Sequence, residues 1–181
     1  YAKYGDFYSV IQKRSSYFKE EDIWLYFIQV IIGLKYLHDN KIIHRDIKSS
    51  NIFLDKNYDI KLGDLGIAKI LNVNKLARTY VGTPYYMAPE IYNGMYYNHK
   101  CDIWSFGCII YQLLTLRMPF NGSNMIQLAN CVKYSTPNYK YIPKYKNEYK
   151  SILVKMFQKS SYARCDINFI YNNQFIKSLL S

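Results

Sequence analysis

HRDIKSSN, residues 44–51, lies between the apolar runs KII, 41–43, and IFL, 52–54. An imidazole, a guanidinium, a carboxylate, an ammonium and a carboxamide fall within these eight residues, flanked by chain that favours burial. Burying a charge without a partner costs several kcal/mol. A fold therefore places such groups beside its core only where they pair with one another or do chemistry.

Working outward, residues 20–38 read as a helix, with Ile23, Phe27, Val30, Ile31, Leu34 and Leu37 on one broad face. Glu20, Glu21 and Asp22 stand in its first turn and Lys35 and His38 in its last, as the helix dipole favours. HDNK, 38–41, ends the pattern. IIH and NIFL are short β-type runs on either side of the charged octet, DKN at 55–57 is a turn, and DIKLG, 59–63, is the next strand. The octet is thus a loop between strands with a rigid helix behind it, where functional loops tend to sit.

Residues 66–90 hold Gly66, Gly82, Pro84 and Pro89 with little periodicity and read as one long irregular segment. Loops of that length are usually functional or disordered. The most buried helix is expected over 101–116. Further helical stretches lie near 123–133, 148–158 and 166–180, with a Pro- and Tyr-rich loop at 134–147. There are no internal repeats. The fold class is mostly α, with a few short strands near residues 40–65.

The 181 residues, half of them hydrophobic, suit one domain or a large piece of a bigger one. The formal charge is +11, yet the lysines are scattered, apart from the stretch YKYIPKYKNEYK at 139–150. A nucleic-acid footprint is a clustered basic patch, so a generally basic surface suited to acidic partners is expected instead. Cys101, Cys108, Cys131 and Cys165 form no C-x-x-C pair, which points to reduced, mostly buried thiols and a cytoplasmic or nuclear protein. The first residues do not resemble a signal peptide. The most apolar segments, 23–34 and 103–116, fall short of the roughly 18 residues that suggest a membrane span. The chain starts at Tyr1, as a fragment would.

Asp46 and Asn51 are five apart, Lys48 lies two beyond the Asp, Asp64 follows Asn51 by 13, and GTPYYMAPE fills 82–90. Phosphoryl transfer from ATP asks for such a set. One carboxylate accepts the proton of an attacking hydroxyl, and a cation offsets charge on the moving phosphoryl group. An amide and a second carboxylate hold Mg²⁺, a hard ion that takes oxygen ligands and few protein groups. Asp46 fits the first role, Lys48 the second, Asn51 and Asp64 the third. Taken singly, Asp46 or Asp64 would be an ordinary turn or cap residue.

With these motifs the chain resembles the eukaryotic protein kinases over nearly its whole length. HRDIKSSN matches the catalytic loop and MAPE the end of the activation segment. DLG matches the metal-binding motif, with Leu65 where phenylalanine is usual. CDIWSFG, 101–107, resembles the start of the family's central buried helix, whose Asp102 ties to the catalytic-loop backbone. Arg164, in MFQKSSYARCD, resembles the late arginine that pairs with Glu90. The resemblance makes His44 a structural residue that holds the loop. Lys48 and Thr83 resemble the serine/threonine branch, in which this threonine reaches back to the catalytic Asp and Lys. The implied activity is transfer of the ATP γ-phosphate to serine or threonine of protein substrates, with ATP and Mg²⁺. Leucine at 65 fills the apolar slot with fewer contacts, so the segment is expected to swing more easily between active and inactive positions.

GDFYSVIQ (5–12), IKSSNIFL (47–54), KLGDLGIAKIL (61–71) and LARTYVGTPYYMAPEI (76–91) resemble the NIMA-related serine/threonine kinases. That resemblance makes Thr79 a candidate activating phosphosite, with Arg45 the cation that a phosphothreonine would seek; the plainer alternative is a polar loop residue. It also allows nuclear or cytoskeletal locations beside the cytoplasm. The family's Gly-rich loop, its strand lysine and the helix glutamate that pairs with it have no counterpart here. Residues 1–181 are accordingly expected to be a partial kinase domain, from the hinge exit to the last helix of the C-terminal (large) lobe, without the N-terminal lobe. Two alternatives stand beside an active parent enzyme. One is a truncated, inactive relative serving as a binding scaffold. The other is a small-molecule phosphotransferase with an H-x-D-x-x-x-x-N loop, against which Lys48 and the GTPYYMAPE segment speak.

Overall fold

The computed structural model describes residues 5–57, 59–64, 69–70, 83–143 and 147–180. Its centre is helix α4, Lys100–Thr115, in which the side chains of Cys101–Trp104 and Phe106–Thr115 are all buried. A helix apolar on every side must be enclosed by others, and here they close in from several directions. Helix α2, Glu20–Asp39, stacks its Phe27 on Phe106 at 5.2 Å between ring centroids. Helix α6, Asn147–Met156, comes close where Gly107 leaves room: a Cβ there would stand 3.1 Å from the Phe157 ring and 3.3 Å from Met156. Trp104 stacks on Phe120 at 5.2 Å and meets Phe157 edge-on, while Trp24 of α2 stacks on Tyr149 of α6 at 3.7 Å.

The strands are short and paired two by two. Strand β1, Ile42–Ile43, runs antiparallel to β4, Lys69–Ile70. Strand β2, Ile52–Leu54, runs antiparallel to β3, Ile60–Leu62, with Ile52 opposite Leu62. Asp55 closes the β2–β3 turn by accepting the N–H groups of Asn57 at 2.8 Å and Asp59 at 3.1 Å. A helical body with two small strand pairs is the expected fold class, and the buried helix expected over 101–116 is found one residue earlier.

Several local expectations are corrected. The opening stretch contains a helix, α1, Phe7–Gln12, because the Asp6 carboxylate accepts the Ser9 N–H at 2.7 Å and caps it. The segment expected to be irregular over 66–90 contains strand β4 and a short helix, α3, Pro89–Tyr92. α3 starts on Pro89, whose missing N–H is no loss in a first turn. The single helix expected over 166–180 is two, α7, Ile167–Tyr171, and α8, Gln174–Leu180. Asn173 restarts the chain by accepting the Phe175 N–H at 3.0 Å through its side chain. Helix α5, Met125–Tyr134, completes the set. Cys101 and Cys108 are buried, but Cys131 and Cys165 are only half-buried; all four are free thiols.

Arg164 and Glu90 join the late part of the chain to α3. The guanidinium donates to both carboxylate oxygens, at 2.7 and 2.8 Å, and also to the carbonyl of Lys100 at 3.0 Å. Arg164 is 1% exposed and Glu90 4%. Removing one partner of such a buried pair strands the other charge, at about 3 kcal/mol or more. Glu90→Gln is expected to lower unfolding stability by about that amount, seen as a lower midpoint in urea. An unchanged midpoint would mean that water reaches Arg164.

Candidate active site

The charged octet sits where α2, β1, β2 and α4 meet, and one carboxylate shapes its entry. Asp102, in the first turn of α4, is 1% exposed. Its Oδ2 accepts the His44 N–H and its Oδ1 the Arg45 N–H, each at 2.9 Å. Two successive amides can face one anion only if the backbone curls into a nest. Arg45 accordingly has φ +69°, a left-handed conformation that disfavours a side chain. His44 is fully buried between the loop and β3: its Nε2 donates to the Gly63 carbonyl at 3.0 Å, and its Nδ1 faces the Asp46 N–H at 3.4 Å. Both ring nitrogens are occupied in holding the loop.

Beyond this bend the chain carries Asp46 into a set of donors. Asp46 Oδ2 meets Lys48 Nζ at 2.7 Å and accepts from Asn51 Nδ2 at 2.9 Å, while Oδ1 accepts from Thr83 Oγ1 at 3.2 Å. Asn51 Nδ2 also donates to the Asp46 carbonyl at 2.9 Å. Both partners are acceptors, so the amide nitrogen must face Asp46 and the amide oxygen must face away. The residues 44–51 thus form one compact constellation, with Thr83 brought in from 37 residues downstream.

Asp64 reaches the same place through the β2–β3 hairpin. The pairing of Ile52 with Leu62 continues one step further, with the Gly63 N–H donating to the Asn51 carbonyl at 2.9 Å. Asp64 is the next residue, exposed and with φ +56°. A side chain at Gly63 would run into the Phe53 ring, so only glycine lets the hairpin close beside Asn51. Leu65 and Thr79 lie outside the described residues.

Two supports were not legible beforehand. His38, in the last turn of α2 as expected, is also buried, with Nε2 at 2.9 Å from Asp102 Oδ2. Tyr86 places its hydroxyl between Ser49 Oγ, at 2.8 Å, and Gln112 Oε1, at 3.1 Å, which fastens the 3₁₀ turn Ser49–Asn51 to α4. Each involves partners tens of residues apart, and no local pattern marks them.

Known proteins resemble this chain in sequence. The protein kinase domain, as a family model, matches residues 1–176. The chain belongs to the protein kinase family. Among its relatives is serine/threonine-protein kinase Nek5 of Homo sapiens, 45% identical over 185 residues, which cover 99% of this chain and 26% of that protein. Serine/threonine-protein kinase Nek1 of Mus musculus is 41% identical over 179 residues, 97% of this chain and 15% of that protein. Serine/threonine-protein kinase Nek2 of Homo sapiens is 38% identical over 191 residues, 100% and 42% respectively. The NIMA-related kinases are therefore its relatives, and the chain spans less than half the length of each of these three. Among the described residues no helix is long and apolar enough to cross a membrane, and no group of three or more His, Cys, Asp or Glu is placed to hold a metal.

Asp102→Asn tests the anchor, since an amide offers one acceptor where two N–H groups ask for two. The variant is expected to lose about 2 kcal/mol of stability. Amide exchange at His44 and Arg45 should accelerate far more than in the middle of α4. Unchanged protection at both amides would show that the bend holds without the carboxylate.

Proposed function

We propose that this chain supplies the large-lobe half of a protein serine/threonine kinase active site, acting with ATP and Mg²⁺ on hydroxyl groups of protein substrates. The observation that carries it is the convergence of Asp46, Lys48, Asn51 and Thr83 within hydrogen-bonding distance of one carboxylate. Asp46 orients an incoming serine or threonine hydroxyl and accepts its proton as the oxygen attacks. Lys48 keeps a positive charge beside that oxygen and faces the phosphoryl group in flight. Thr83 ties the segment that carries the substrate to Asp46, which fits a hydroxyl acceptor close to the loop rather than a longer tyrosine side chain.

Asn51 and Asp64 fit a magnesium ion in chemistry. The orientation forced on Asn51 leaves its amide oxygen without a partner among the described residues. The exposed Asp64 follows directly on the residue bonded to the Asn51 backbone. Two oxygen donors are few, but Mg²⁺ ordinarily completes its shell with water and phosphate oxygens; when bound, it offsets charge on the phosphates. Phosphorylation of Thr79 is proposed as the activating step, placing close to two negative charges for Arg45 to meet.

None of the eight glycines forms a G-x-G pair, so a cover for the β- and γ-phosphates must come from elsewhere. In the protein complete with such a lobe, Asp46→Asn is expected to lower kcat by at least about 100-fold, measured on serine and threonine peptides. Wild-type-like turnover in that variant would sink the assignment. The 181 residues on their own are expected to transfer no phosphate, because nothing holds the donor in line. Turnover by the isolated chain that vanishes in Asp46→Asn would show the missing cover to be dispensable.

A further inference from the structure

Two limbs of the chain reach Asp46, and each runs into a 3₁₀ turn. On the loop side the Lys48 carbonyl accepts the Asn51 N–H at 3.0 Å, so the turn Ser49–Asn51 holds Lys48 and Asn51 together at the carboxylate. On the other side the Thr83 carbonyl accepts the Tyr86 N–H at 2.9 Å, and the turn Pro84–Tyr86 holds Thr83. The hydroxyls of Ser49 and Tyr86 join the two turns at 2.8 Å, and Tyr86 passes on to Gln112 of α4 at 3.1 Å. The Tyr86 carbonyl is fastened as well, by the Ser105 hydroxyl at 2.7 Å. Ser49 is 1% exposed, Gln112 5% and Tyr86 8%, so these polar side chains depend on one another for partners.

A phenol has one proton to give, and Tyr86 gives it to Gln112 Oε1. The Ser49–Tyr86 bond must then run the other way, with Ser49 donating to the Tyr86 oxygen. The relay has one direction, from Ser49 through Tyr86 to Gln112, and successive bonds of this kind polarise one another. By contrast, the bond that brings Thr83 to Asp46 is 3.2 Å, long for a hydroxyl donor. Thr83 is therefore held less by that bond than by the turn behind it. We propose that Ser49 is a positioning residue: its hydroxyl, acting through Tyr86, sets the approach of Thr83 to Asp46 and with it the binding of the acceptor peptide. Ser49, Tyr86 and Gln112 border a cavity of about 380 Å³ that Lys48 and Thr83 also line. A peptide that brings a hydroxyl to Asp46 between Lys48 and Thr83 meets this cavity, so a displaced Tyr86 ring weakens its hold without touching the nucleotide. The peptide role rests on the function proposed above; the tie between the two turns does not.

Two measurements test it. In the 181-residue chain, NMR follows the Thr83 methyl signal in Ser49→Ala, which removes only the hydroxyl, in Tyr86→Phe, and in the double variant. Each single substitution is expected to move that signal, and Ser49→Ala should add little once Tyr86 is phenylalanine, because the tie is already cut. The proposal is overturned if Ser49→Ala leaves Thr83 where it was, or if the two shifts simply add. Should Tyr86→Phe fail to fold, the Thr83 signal in Ser49→Ala decides. In the protein complete with a lobe that covers the phosphates, Ser49→Ala is expected to raise KM for a serine or threonine peptide about five-fold, the worth of one hydrogen bond, with KM for ATP unchanged. A fall in kcat alone, or an equal rise in both KM values, would mark Ser49 as merely structural and overturn the proposal. If the unsubstituted complete protein transfers no phosphate, the function proposed above fails, and the Thr83 signal still decides whether Ser49 ties the two turns.

Discussion

A single buried carboxylate organises the loop on which the proposed chemistry depends. Asp102 has almost no contact with water, and it is compensated by two backbone N–H groups, an imidazole and the first turn of its own helix. An anion in such a place is costly unless every lone pair is used. The arrangement therefore has one good geometry rather than many. Arg45 is held in a left-handed conformation that a free loop would avoid, and the next residue, Asp46, is aimed accordingly. Strain of this size survives only where the surroundings over-determine it.

The rest of the body serves to keep Asp102 where it is. α4 is enclosed by aromatic contacts from α2, α6 and the loop bearing Phe120, so neither end of it can shift without disturbing the core. The Glu90–Arg164 pair does the same for the segment that carries α3, tying it to the carbonyl of Lys100 at the start of α4. Further bonds run from Tyr86 to Gln112 and from Ser105 to the Tyr86 carbonyl. Thr83 is thus delivered to Asp46 from a short, well-fastened turn.

Three of the many tyrosines fit the same economy. Tyr86, Tyr92 and Tyr111 bury much of the ring while the hydroxyl finds a carbonyl, a hydroxyl or an amide oxygen. Burial raises the Tyr86 and Tyr111 hydroxyls above the ordinary phenol range, so they remain donors. An apolar ring with one polar end can bridge layers that phenylalanine would only fill.

Much of this was decided by the sequence alone. Burial periodicity marks α2 and α4, because an apolar stripe or an unbroken apolar run follows from local order. The spacing of Asp46, Lys48, Asn51 and Asp64 points to phosphoryl transfer because each residue type is suited to one charge in that reaction. The start of α1, the pairing of β4 with β1 and the break between α7 and α8 were missed. They depend on single capping side chains and on a partner strand far along the chain, to which a periodicity count is blind. Only the tertiary structure decided that His38 belongs to the site, that Asn51 must turn its oxygen away from Asp46, and that the hairpin brings Asp64 beside Asn51. Each of these follows from a hydrogen bond or a close approach between elements distant in sequence, and such a constraint exists only once the chain has folded around it.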